Sequence, residues 1–134
     1  MLARDVMIPS PVVVAAGATS AEVASLMRMK NISVAPVVDN PKDLRYLGTI
    51  SDRDIVTGCV AEGHNPTECS IKLHVRSDTS TVAPDVELEG YHLRRQLDPG
   101  DSHVRSTIVV IDKDKRVVGF IPHTEDVDGI VIMR

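Results

Sequence analysis

The chain has 134 residues, 43% of them hydrophobic, and a formal net charge of −4. That length suits one compact unit able to bury about two thirds of its unfolded surface. The acidic balance and the lack of a Lys/Arg run argue against nucleic acid as a partner.

No segment approaches the roughly eighteen consecutive apolar residues that span a bilayer, so no membrane association is expected. The opening MLARDVMIPS carries charge too early for a signal peptide. Two cysteines do not make a disulfide framework, so the expectation is a cytoplasmic protein with reduced thiols. Tyr46, Tyr91 and Phe120 are the only aromatic residues, so the core is aliphatic and any planar ligand is held by aliphatic side chains.

In chain order, Pro9 and Pro11 punctuate the start and residues 12–16 read as a short buried strand. Thr19-Ser20-Ala21-Glu22 fits a capping box, in which hydroxyl and carboxylate satisfy free N–H groups at a helix start. The helix it opens turns Val23, Leu26 and Met27 inward and carries Arg28 and Lys30 near its C-terminal end, where cations suit the dipole. Val34–Val38 is an apolar strand containing Pro36, which marks a strand edge or a bulge. Residues 40–43 form a turn and 46–50 complete a hairpin. A second helix over 51–62 is expected to face Ile55, Val56, Cys59 and Val60 inward and to end at Gly63. A strand is expected around Thr81–Val82. Asp85 is placed to cap a helix striped by Val86, Gly90, Leu93 and Leu97, and residues 98–101 stop it. Residues 107–111 and 117–121 form a second hairpin around 112–115.

This order repeats. Residues 32–39 (ISVAPVVD) lead into 46–55 (YLGTISDRDI), and about seventy residues later 106–112 (STIVVID) lead into 117–127 (VVGFIPHTEDV). Two copies this long are paired half-domains rather than a solenoid array. The expected fold is mixed α+β, β-α-β-β-α run twice, with residues 1–63 as the first copy, 64–73 as a polar connector and 74–134 as a divergent second copy. A pseudo-twofold relation between the copies would create a cleft for a ligand.

The pattern Asp5-Val6-Met7-x-Pro9-x-Pro11-Val12, the strand Ile32-x-x-x-Pro36-Val37-Val38-Asp39 and the run Gly48-Thr49-Ile50-Ser51-Asp52-Arg53-Asp54-Ile55 resemble the CBS domain, the regulatory module named after cystathionine β-synthase. The resemblance covers nearly the whole chain. It implies a tandem pair, usually a homodimer, that binds an adenosine-containing ligand such as AMP, ADP or ATP, regulates a protein partner and needs no further cofactor. With nothing else attached in this sequence, it is similar to the stand-alone kind.

Ser51 and Asp54 stand three apart at a strand-to-helix junction, where unpaired N–H groups and the dipole favour a phosphate. The resemblance assigns the Ser51 hydroxyl to phosphate and the Asp54 carboxylate to the ribose hydroxyls. Arg53 can add a charge-assisted contact, and Val34, Ala35 and Pro36 would wall the adenine. Ser-x-x-Asp is also a helix cap that needs no ligand. The roles are compatible, because a hydroxyl can accept from the helix and still donate to a phosphate. The second copy departs from the pattern: Pro122 stands where Ser/Thr is expected, Asp126 falls one residue late and Glu125 adds repulsion. That copy reads as degenerate. The apolar tail over 129–133 fits either core packing or a dimer interface.

Cys59, His64, Cys69 and His74, spaced five apart, are all zinc-ligand types. Structural zinc sites usually bring cysteines two to four residues apart, so the expectation is no metal site, a buried Cys59 and surface histidines. No basic cluster adjacent in sequence marks Cys69 as a redox thiol. No nucleophile with an adjacent base and no P-loop appears, so catalysis is not expected. The function expected is a non-catalytic sensor of an adenine nucleotide; the alternative is a dimerisation scaffold that has lost its ligands.

Overall fold

The computed structural model describes residues 1–88 and 107–121. Its elements in chain order are helix α1 (Ala3–Val6), strands β1 (Ile8–Pro9) and β2 (Val14–Ala15), helix α2 (Ser20–Lys30), strands β3 (Val34–Val38) and β4 (Tyr46–Ser51), and helix α3 (Asp52–Ile55). A π-helical turn (Val56–Val60), a 3-10 turn (Ile71–His74) and strands β5 (Ser80–Val82), β6 (Ile108–Ile111) and β7 (Val117–Ile121) follow. Mixed α+β is therefore the observed class.

Helix α2 begins where the capping box places it. Thr19 Oγ1 accepts from the Glu22 N–H at 3.2 Å, and Glu22 Oε1 accepts from the Thr19 N–H at 2.9 Å. Two further N–H groups that every helix start leaves unpaired donate to the following segment, Ser20 to the Cys69 carbonyl at 2.8 Å and Ala21 to the Pro66 carbonyl at 3.0 Å. At the other end Asn31 takes the left-handed conformation, φ 54°, which Asn tolerates at a helix terminus. Val23 and Met27 are buried beneath the helix and Leu26 is half-buried.

The repeat is reproduced down to its irregularities. One sheet has the order β2-β3-β4, with β2 parallel and β4 antiparallel to β3. The other has the order β1-β7-β6-β5, with β5 parallel and β7 antiparallel to β6. Each hairpin carries its register shift at the same place, between Val37 and Val38 and between Val110 and Ile111. The extra residues opposite are Leu47 and Val118, each just before a glycine, Gly48 or Gly119.

The compact units divide elsewhere than at residues 63 and 74. One is Val12–Ser77; the other joins the described residues of Met1–Pro11 to those of Asp78–Arg134. The reason is strand pairing. Ile8 and Pro9 lie against Phe120 and Gly119 of β7, while the matching position, Arg76, lies against Thr49 of β4. Each opening segment thus completes the sheet of the other copy. Residues 64–73 are likewise no loose connector, because Cys69 and Ile71 are buried in the core of the Val12–Ser77 unit with Val14, Val23, Met27, Ile50 and Cys59. Ala3, Val82, Leu88, Ile108, Val110 and Ile121 form the core of the other unit.

Three further expectations change. The helix after Ser51 widens at Val56, where the Ala61 N–H reaches back five residues to the Val56 carbonyl. Ile55 and Cys59 face inward, but Val56 and Val60 are exposed. Pro36 sits in the central strand of its sheet rather than at an edge, but next to the register shift at Val37/Val38, as the bulge alternative expects. It is tolerated because its opposite number, Thr49, spends both backbone groups on Arg76, at 2.8 Å each, so the Pro36–Thr49 pair is of the non-hydrogen-bonded kind. On the other side β2 reaches only Val37 and Val38. Asp85 stands in a turn, and the helix expected beyond it, Pro122, Glu125, Asp126 and the apolar tail lie outside the described residues.

Gly48 has φ 157°, and a Cβ there would strike the Arg76 carbonyl oxygen and Val75 Cγ1. Gly119 meets Met7 in the same way. Gly48→Ala should therefore cost about 3 kcal/mol, from strain plus overpacking, whereas Gly17→Ala, with nothing within 4 Å of the added methyl, should change stability by less than about 0.5 kcal/mol. Urea denaturation of the two variants measures the difference.

Candidate functional site

The β3–β4 hairpin puts the sequence-expected residues side by side. Val34 pairs with Ser51, Ala35 with Ile50 and Pro36 with Thr49. Val34, Ala35 and Pro36 are all buried, and so are Ser51 and Asp54, at 2% and 6% exposure. Arg53 is exposed.

At the strand-to-helix junction the cap is complete. Ser51 Oγ accepts from the Asp54 N–H at 3.1 Å, and Asp54 Oδ2 accepts from the Ser51 N–H at 2.9 Å. The hydroxyl hydrogen of Ser51 is not used by this bond. The second carboxylate oxygen, Oδ1, accepts from Arg76 Nε at 2.7 Å. Asp54 is thus tied on both oxygens, though each retains a second lone pair. Arg76 escaped the sequence reading because it lies 22 residues from Asp54. Its one signal was its place in the second copy's opening segment, equivalent to Ile8 in the first.

The ladder leaves one backbone site open. The Pro36–Thr49 pair is non-hydrogen-bonded, so by alternation Val34–Ser51 is too; Ser51 accordingly donates to Asp54 instead of to β3. The Val34 N–H and C=O face the β2 side, where β2 pairs only Val37 and Val38. Among the described residues the sheet supplies them no partner, although Val34 is only 6% exposed.

A second cluster lies in the same unit. The donor atoms of His64, Cys69 and His74 lie within 4.8 Å of one another. Cys69 Sγ is 3.1 Å from His74 Nε2 and 3.7 Å from His64 Nδ1. Of the two histidines, His64 is on the surface as expected and His74 is half-buried. Cys59, fully buried as expected, directs its thiol to the His64 carbonyl at 3.9 Å. Burial pushes the Cys59 thiol pKa up, and the neighbouring Cys69 adds to the shift. Among the described residues no helix is long and apolar enough to cross a membrane.

Asp54→Ala should cost about 2 kcal/mol, because it removes both the cap and the charge-assisted bond from a half-exposed Arg76. Asp54→Asn, which keeps an acceptor for the Ser51 N–H, should cost about half as much. Thermal unfolding of both variants without ligand measures the structural share of this carboxylate.

Comparison with known proteins agrees with this geometry. Residues 3–60 match the CBS domain family. Solved structures share the fold. Hypoxic Response Protein I with two coordinated zinc ions is 24% identical, with a TM-score of 0.72 over 91% of this chain and 92% of that one. A CBS domain protein from Pyrobaculum aerophilum complexed with AMP is 22% identical, with a TM-score of 0.70 over 91% and 87%. The CBS-pair protein CBSX2 from Arabidopsis thaliana is 18% identical, with a TM-score of 0.71 over 89% and 86%. No curated protein sequence matches. Residues 3–60 thus match a CBS domain, and the chain shares the fold of solved CBS-domain proteins.

Proposed function

We propose that the protein is a non-catalytic regulatory module that binds an adenosine-containing ligand, of the AMP, ADP or ATP kind, and passes its state to a protein partner. The observation that carries this reading is the Val34–Ser51 pairing. It sets sheltered backbone groups, to which no described strand offers a partner, beside a hydroxyl with a spare hydrogen and a carboxylate with spare lone pairs. A purine needs one N–H and one C=O beside an apolar wall, and Val34 with Ala35 and Pro36 offers both. Ser51 donates to a phosphate, Arg53 is an exposed cation within the same helix start, and Asp54 accepts from the ribose hydroxyls. The AMP complex of the Pyrobaculum aerophilum protein supports the ligand class. The alternative, a scaffold without ligand, draws on the engagement of both Asp54 oxygens.

Calorimetry decides between them. One adenine nucleotide should bind per chain, and Asp54→Ala should weaken it about ten- to hundred-fold, the worth of hydrogen bonds to a charged acceptor. Failure of AMP, ADP, ATP and S-adenosylmethionine to bind the wild-type chain hands the case to the scaffold.

The same proposal includes a homodimer. Met29, Val56 and Val60 are 74%, 56% and 55% exposed and offer apolar side chains for it, whereas Met27 is buried in the core. Light scattering should give twice the chain mass, and Val60→Asp should lower it towards the monomer. A monomer mass for the wild-type chain removes the dimer from the reading.

A further inference from the structure

The separation that counts against zinc in the sequence is closed by the fold. The π-helical turn ends with the His64 N–H donating back to the Cys59 carbonyl at 3.0 Å, which sets the backbone of His64. Asn65 then reverses the chain, its side-chain oxygen accepting from the Thr67 N–H at 3.1 Å. Cys69 is held where its carbonyl accepts from Ser20 at the start of α2. Ser70 opens the 3-10 turn by accepting from the Lys72 N–H at 3.2 Å, and that turn carries His74 back over the same spot. Each of the three donors therefore sits on a separately anchored piece of backbone.

Gly58 supplies an independent observation. A Cβ at this position would stand 2.5 Å from His74 Nδ1 and 3.0 Å from its Cε1. Nδ1 is the ring atom nearest the glycine, while Nε2 on the other side of the ring is turned towards the Cys69 sulfur. Four-coordinate zinc with its usual Zn–S and Zn–N lengths holds neighbouring sulfur and nitrogen ligands about 3.5 Å apart. The two sulfur–nitrogen distances here, 3.1 and 3.7 Å, bracket that figure. Two imidazoles and one thiolate are donors that suit zinc over calcium or magnesium, which take oxygen. A nucleophilic role for the Cys69–His74 pair is the weaker alternative, since Cys69 is only 7% exposed.

We propose that His64 Nδ1, Cys69 Sγ and His74 Nε2 bind one zinc ion that ties the two ends of residues 64–74 to Cys69 between them. On binding, the Cys69 thiol releases its proton to solvent and the thiolate completes the set. Water takes the fourth position, since the Cys59 thiol is not among the donors that converge.

The test uses the full chain without an affinity tag, stripped by a chelator and titrated with cobalt(II) as a spectroscopic stand-in. One equivalent should produce visible bands of tetrahedral cobalt together with a thiolate-to-cobalt charge-transfer band, and zinc should displace it mole for mole. Cys69→Ser should abolish the charge-transfer band, and His74→Ala should weaken zinc more than about a hundred-fold, beyond what loss of a supporting contact costs. Octahedral cobalt spectra, or a charge-transfer band that survives Cys69→Ser, overturn the site. Should either variant fail to fold, imidazole nitrogen spectra of the wild-type chain decide. Zinc should shift two of its five histidines, and spectra that stay unmoved reject the site. None of these readouts depends on nucleotide binding.

Discussion

The Val12–Ser77 unit depends on how the outer edge of β4 is closed. An exposed strand edge carries unpaired N–H and C=O groups, and β4 meets this by exchanging both bonds of Thr49 with Arg76. The exchange requires the bare backbone of Gly48 next door, because any side chain there would occupy the space of Val75 and Arg76. Once residue 76 is fixed on the strand, its guanidinium reaches Asp54 at the head of the following helix. One backbone pairing therefore sets the sheet edge, the ion pair and the end of the segment that carries Cys69 and His74.

The other unit solves the same edge with a different piece of chain. There β1 lies on β7, and Gly119 makes room for Met7 as Gly48 does for Val75. Exchange of opening segments explains why the sequence repeat and the compact units have different boundaries. It also makes the two halves of the fold interdependent, since neither copy contains the residues that complete its own sheet. The family match over residues 3–60 follows the repeat; the packing follows the exchange.

Asp54 shows how little separates a structural role from a functional one. Its carboxylate caps a helix, pairs with Arg76 and still has lone pairs to offer. The cap holds the group still, and a preorganised acceptor loses less entropy on binding than a mobile one. Being a good cap is thus part of what would make it a good ligand residue. The same economy is visible at Gly58, whose missing side chain permits the close packing of the His74 ring that turns Nε2 towards Cys69.

The sequence by itself determined the local elements and their repetition. Capping boxes at Thr19 and Ser51 and the hairpins of alternating turns and apolar runs are short-range features, and interactions within a few residues set them. It also carried the Ser51–Asp54 junction and the pairing of residues 34–36 with it, because strands consecutive in sequence and joined by a turn tend to pair with each other. What only the tertiary structure decided was partnership over distance. Which strand receives residues 75–76, why Pro36 can sit in a central strand, that Val56 and Val60 face outward and that His64, Cys69 and His74 converge all depend on chain reversals whose direction no local pattern encodes. Spacing along the chain measures contour length, and the fold replaces it with distances set by packing and by the need to pair every buried backbone group.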